Sequence, residues 1–218
     1  MHGLGACRAL FSVSLLAAVP MPEHDSHPTS APVAVGGPLI VWKGAFTPAE
    51  VDAIVALGDN LEPMRAEAIG RQEDADHLRI TRVAWIERNA QTAWLYTRME
   101  KIVLRLNTEF YKYDLYGLVE AFQYTVYEGS EGGHYNWHVD LGTPDTEPRK
   151  ISLSLQLSDP ATYEGCRLVL EAGNGPYLAE AARGTIIAFP SYVLHRVTPI
   201  ESGTRKSLVI WVAGPEFR

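Results

Sequence analysis

The chain has 218 residues, 46% of them hydrophobic, enough for one substantial core, so a single domain with an appendage is the expected organisation. The formal net charge is −7 and no Lys/Arg cluster occurs, which argues against nucleic acid as a partner. Cys7 and Cys166 stand in unrelated contexts, define neither a disulfide framework nor a cysteine-based zinc site, and fit a reducing compartment, the cytoplasm.

The run CRALFSVSLLAAVPM carries one positive charge and then an apolar stretch from Ala9 to Val19. That is the length of a signal-peptide core and too short to span a bilayer, so no stable membrane insertion is expected. Pro20 to Pro38 is rich in Pro, Ser, Ala and Gly and reads as a flexible lead-in, with Met21 an alternative start. The expected boundaries are a flexible segment over residues 1–37, signal-like or a start assigned too early, and a folded domain over 38–218. His24 and His27 in the lead-in have no framework to fix ligand geometry.

Folded sequence begins at LIVWKGAFTPAEVDAIVALGD. Thr47, Pro48 and Glu50 form a capping box with proline at the first helical position, and Val51, Ile54, Val55 and Leu57 supply an apolar stripe. After the polar loop AEAIGRQEDADH, RITRVAWIE predicts a strand. Asn89 stands where it would cap a long helix, in which Trp94, Leu95, Met99, Ile102, Val103 and Leu106 recur at helical spacing. Downstream the period becomes two. LVEAFQYTVY, HYNWHVD, KISLSLQLSD, CRLVLEA, GTIIAFP, VLHRVTPI and KSLVIWVA are short strand-like runs between turn residues. The pattern predicts a mainly β jelly roll or sandwich with the N-terminal helices packed outside its major sheet.

Within HYNWHVD, His138 and Asp140 are two residues apart, so an extended segment would send both side chains to one face. Two groups rarely hold a metal alone. Of the other histidines, His195 lies in a later strand-like run, distant in sequence and expected across the barrel, and it completes two histidines and one carboxylate. Such a triad leaves positions open on an octahedral metal and suits non-haem iron(II). H-x-D is too short to be specific by itself, and a lone buried histidine is more often a core residue than a ligand. His134 follows Gly132-Gly133 and is expected to support the site or face solvent.

Ten residues beyond His195, Arg205 would share one strand face with Ser207, Val209 and Trp211, while Lys206, Leu208 and Ile210 share the other. An inward guanidinium beside a hydroxyl calls for an anion, and its planar fork suits a carboxylate.

These motifs in this order, H-x-D, the distal histidine in LHRVTPIESGTRKS and the intervening LSLQLSDPATYEGCRLVL, resemble the iron(II)/2-oxoglutarate-dependent dioxygenases, specifically the prolyl 4-hydroxylase-like group. FTPAEVDAIVALGD also resembles that group's N-terminal helix. The resemblance implies a double-stranded β-helix with Fe(II) held by His138, Asp140 and His195. It further implies 2-oxoglutarate as co-substrate, its distal carboxylate paired with Arg205, with Ser207 and Tyr127 in the same pocket, and it brings ascorbate into view as an accessory cofactor. The implied reaction couples oxidation of 2-oxoglutarate to succinate and carbon dioxide with C–H hydroxylation by O2 of a peptide side chain or an amino-acid-like small molecule. Relatives commonly carry Gly-Gly-Glu-Leu where this chain has Gly165-Cys166-Arg167-Leu168, an exchange of acid for base in a strand expected near the site. An inactive binding module of the same fold and another jelly-roll metalloenzyme remain alternatives.

The loop LGTPDTEPRK after Asp140 carries Asp145 and Glu147 and is expected to form an acidic rim that favours a neutral or cationic substrate, with Trp137 and Tyr192 lining its approach.

Overall fold

A computed structural model describes residues 30–66, 77–171, 173 and 175–217. The signal-like run, His24, His27, Cys7 and nearly all of the polar loop lie outside them.

The chain begins with strands β1 (Val33–Gly36) and β2 (Leu39–Trp42), helix α1 (Pro48–Asp59) and the short strands β3 (Met64–Arg65), β4 (Arg79–Ile80) and β5 (Arg82–Ile86). Helix α2 (Ala93–Leu106) follows, then β6 (Phe122–Glu128), β7 (His134–His138), β8 (Arg149–Gln156), β9 (Tyr163–Gly165) and β10 (Leu168–Glu171). The last strands are β11 (Pro176–Leu178), β12 (Ile186–Pro190), β13 (His195–Val197) and β14 (Ile200–Ala213). Among the described residues they form two antiparallel sheets. The major sheet runs β1-β2-β12-β8-β14-β6-β5-β3 with β9 also on β14, and the minor sheet runs β11-β10-β13-β7-β4.

The capping box forms as the sequence predicts. The Glu50 N–H donates to Thr47 Oγ1 (3.2 Å) and the Thr47 N–H to Glu50 Oε2 (2.7 Å). Glu50 also accepts from Arg98 Nε of α2 (3.1 Å), so one buried carboxylate both caps α1 and ties the two helices together. Gly58 lets α1 approach the sheet: a Cβ there would lie 2.4 Å from the Tyr124 ring. Tyr96 of α2 stacks on Phe122 at 4.0 Å between centroids and donates its hydroxyl to the Ile86 carbonyl. Both helices therefore cover the outer face of the major sheet.

Three boundaries differ from expectation. Val33–Gly36, assigned by sequence to the flexible lead-in, pairs with β2 as a fully exposed edge strand, so the folded domain starts earlier than residue 38. Its hydrogen bonds are main-chain, and an edge strand needs no buried side chains to make them. The Asn89 carboxamide accepts the N–H groups of Gln91 and Thr92 in the preceding turn, and Thr92 takes the cap position of α2. RITRVAWIE is two strands, because buried Thr81 separates β4, paired with β7 in the minor sheet, from β5, paired with β6 in the major sheet.

The alternation in the central strands is two-sided. Leu208, Ile210 and Val212 of β14, with Phe122 and Tyr124 of β6 and Ile151 and Leu155 of β8, join the helices in one apolar cluster. The opposite faces carry Arg205 and Ser207, Gln123 and Thr125, and Ser152, Ser154 and Gln156, all buried and polar. A second apolar cluster, including Leu168, Leu170, Phe189 and Val197, fills the space between the sheets. The polar inner face opens into a cavity.

Candidate metal centre

His138 closes β7, and His195 opens β13 directly opposite it in the antiparallel register. The second histidine is thus a neighbour in the same sheet, not a residue across the barrel. Asp140 lies past the end of β7, so the convergence is not made by two residues of one strand. The Asp140 N–H donates to the Ser191 carbonyl (2.8 Å), which holds the aspartate against the turn that leads into β13.

One carboxylate oxygen stands 3.7 Å from His138 Nε2 and the other 3.5 Å from His195 Nε2, and the ligand atoms of all three residues lie within 4.8 Å of one another. Nδ1 of His138 faces the Asn136 carbonyl (2.7 Å) and Nδ1 of His195 the Val193 carbonyl (2.9 Å). A carbonyl only accepts, so each Nδ1 carries the proton and each Nε2 offers its lone pair to the centre. Burial and the neighbouring His195 push His138 down to about 4, keeping it neutral at physiological pH. Burial would raise Asp140, but the two imidazoles outweigh it and hold its carboxyl below the usual range. Two imidazoles that present Nε2 and a carboxylate are the donor set of a 2-His-1-carboxylate iron(II) site.

The three groups line a cavity of about 460 Å3. Arg205, Ser207, Val209 and Trp211 line it too, the face the alternation assigned them, while Lys206 points outward and binds Asp59 of α1 (2.7 Å). Arg205 is buried, faces Tyr127 across the β14–β6 pair, and gives Nη2 to Gln156 Oε1 (2.7 Å). Its Nη1 is buried without a hydrogen-bond partner. A guanidinium with an orphaned donor in a polar cavity fits a carboxylate ligand. Tyr127 also lines the cavity, and burial pushes its hydroxyl up to about 12, so it remains a neutral donor. His134 is tied to the Gly132 carbonyl and is not part of the cluster.

Residues 122–213 match the profile of the 2OG-Fe(II) oxygenase superfamily, a span that includes all three clustered residues and Arg205. This segment resembles a 2OG-Fe(II) oxygenase domain. A PKHD-type hydroxylase of Pseudomonas putida is 32% identical over 87 residues, which are 37% of this chain and 38% of that protein. One from Teredinibacter turnerae is 37% identical over 86 residues, 37% and 38% of the two chains. The match thus spans about two-fifths of the curated relatives' length. Among solved structures, a P. putida prolyl-4-hydroxylase superposes with TM-score 0.63 at 21% identity, covering 83% of this chain and 94% of that one. A Trichoplax adhaerens prolyl hydroxylase, solved with a peptide fragment of hypoxia inducible factor, gives 0.67 at 17%, covering 81% and 84%. The fold is the double-stranded β-helix shared with these solved structures. No helix among the described residues is long and apolar enough to cross a membrane.

Several residues sit elsewhere than sequence reasoning put them. Asp145 and Glu147 are exposed and do not line the cavity; from their loop Gly142, Thr143, Thr146 and Arg149 do. The cavity-facing charges at that end are Arg79, Arg149 and Glu120, so the acidic rim does not form. Trp137 lies under Arg196, and Tyr192 packs edge-on against Phe217; neither lines the cavity. Arg167 donates to the Ala179 carbonyl (3.3 Å) and is absent from the cavity wall, so the acid-to-base exchange does not face the metal centre. Cys166, in contrast, touches the site: it packs beside Arg205 at φ +50°, a left-handed conformation that glycine adopts freely.

Sequence reasoning missed Gln156, Arg79 and the Glu120–Arg149 pair. Gln156 had a signal, since it continues the alternate polar positions Ser152 and Ser154 in ISLSLQL. Arg149 had none: it binds Glu120, 29 residues away, through Nε (2.7 Å) and Nη2 (2.5 Å).

Proposed function

We propose that this chain is an iron(II)- and 2-oxoglutarate-dependent hydroxylase of a peptide side chain or an amino-acid-like small molecule. The carrying observation is that one cavity holds both a cluster of two histidines with an aspartate and a buried arginine with an unpaired Nη1. His138, Asp140 and His195 would hold Fe(II), and Arg205 would grip the distal carboxylate of 2-oxoglutarate with Tyr127 and Ser207 beside it. Bound there, the metal and co-substrate supply oxidative decarboxylation: 2-oxoglutarate, O2 and R–H become succinate, carbon dioxide and R–OH. The backbone carbonyls of Asn136 and Val193 keep Nε2 of each histidine free for the metal. Leu168, Phe189 and Val197 give the cavity an apolar wall that excludes water from the reacting centre. Similarity to PKHD-type hydroxylases supports hydroxylation as the outcome. The buried free thiol of Cys166 and an Fe(II) centre both suit the cytoplasm.

Anaerobic addition of Fe(II) and 2-oxoglutarate should produce a weak visible charge-transfer band, and air should then yield succinate. A substrate screen by mass spectrometry should find a product heavier by one oxygen. If neither the band nor 2-oxoglutarate-dependent O2 uptake occurs, the reading is wrong.

A further inference from the structure

Among the described residues three arginines face the cavity, and two of them have an evident counter-charge. Arg149 is held by Glu120, and Arg205 is assigned, on the function proposed above, to the distal carboxylate of 2-oxoglutarate. On the same reading the two charges of Fe(II) are matched by Asp140 and by the co-substrate's metal-binding carboxylate. Arg79 is left over. Among the described residues it has no carboxylate partner, and its Nε and Nη2 are buried without any hydrogen-bond partner. Guanidinium N–H groups buried without acceptors are costly, and an arginine carrying two of them is tolerated best where a ligand supplies the missing acceptor.

Its placement is fixed by the sheet. Arg79 is directly opposite Tyr135 in the β4–β7 pair, and its Cζ sits 4.7 Å from the Tyr135 ring centroid. Tyr135 in turn stacks on His138, with centroids 3.5 Å apart and planes 11° apart. The guanidinium thus rides on an aromatic column that ends on a metal-binding imidazole. Leu78 and Arg79 line the cavity on this side.

We propose that Arg79 is a specificity-determining residue that binds a carboxylate of the primary substrate, and so that the molecule oxidised is an acid. The planar fork offers two parallel donors, which match a carboxylate and leave the rest of the substrate directed at the metal. This refines the hydroxylase reading and reverses the sequence expectation of a neutral or cationic substrate.

The test uses full-length protein loaded with Mn(II) and 2-oxoglutarate, so that binding is read without turnover. A panel of N-acetyl amino acids and the matching carboxamides is titrated by calorimetry. Acids should bind wild type about ten- to a hundredfold tighter than their amides, the range of one charge-assisted bidentate contact. Arg79→Gln should erase that preference, and Arg79→Lys should keep part of it, since an ammonium retains the charge and loses the fork. The affinity for 2-oxoglutarate, measured without any probe, should match wild type in both variants. Acids binding no better than amides to wild type, whether both bind or neither does, overturns the proposal; that comparison needs no variant to fold. A fall in 2-oxoglutarate affinity in Arg79→Gln overturns it as well, because the arginine would then serve the co-substrate. Absence of 2-oxoglutarate binding by wild type would instead defeat the hydroxylase reading, and it is measured first.

Discussion

The major sheet has two faces built from the same strands, and they do opposite work. Outward, Leu208, Ile210 and Val212 meet α1 and α2 in an apolar core; inward, Arg205, Ser207, Gln156 and Ser154 are equally buried yet polar. Burial alone therefore does not distinguish a core from a site. What distinguishes them is satisfaction: the outer face needs no partners, whereas the inner face leaves Arg205 Nη1 without one. A fold keeps such atoms where a ligand completes them.

The comparison breaks most sharply at the metal ligands. His138→Ala, Asp140→Ala and His195→Ala should each lower 2-oxoglutarate turnover by more than about a thousandfold, because the ligands act as a unit, while the melting temperature of metal-free protein moves little. Full turnover in any of the three, with iron supplied, would remove that residue from the centre. On the other face, Ile210→Ala should cost roughly 2–5 kcal/mol in denaturant unfolding and leave turnover per folded molecule near wild type. Equal damage to activity would mean the faces are not separable.

Protonation divides the faces in another way. His138 is depressed to about 4 in the fold, so between that value and its ordinary value near 6.5 the unfolded chain binds more protons. Metal-free protein should therefore hold this contribution fully above about pH 6.5 and lose it progressively toward pH 4, by roughly 3 kcal/mol in the acid limit. His138→Ala should flatten the curve in chelator-treated samples; an unchanged curve would assign the acid loss to other groups. The smallest effect is expected at Arg205. Arg205→Ala should raise the KM for 2-oxoglutarate about ten- to a hundredfold with iron affinity within about twofold, and Arg205→Lys should recover part of it. An unaltered KM would take Arg205 out of co-substrate binding.

The sequence made the outer face legible and much of the inner one. Period-two alternation in TRKSLVIWV separated Arg205 and Ser207 from Leu208 and Ile210 correctly, since a strand leaves no other choice. The H-x-D spacing pointed to the aspartate that clusters with the two histidines, for an incomplete reason: Asp140 is held there by a main-chain bond to Ser191, not by strand geometry. The neighbours of Arg79 were not legible. That residue meets Tyr135 only because the chain changes sheets at Thr81, a crossing with no local sequence mark. The rim failed similarly, because composition located Asp145 and Glu147 in the loop but could not orient them.

The two histidines of the centre are oriented by main-chain carbonyls, those of Asn136 and Val193. Every residue has a carbonyl, so the side chains at 136 and 193 can change without disturbing which ring nitrogen is free. Arg79, by contrast, contributes through its side chain alone. Substitution on the Arg79 side of the cavity can thus alter what binds there while the main chain goes on fixing how the two imidazoles are turned.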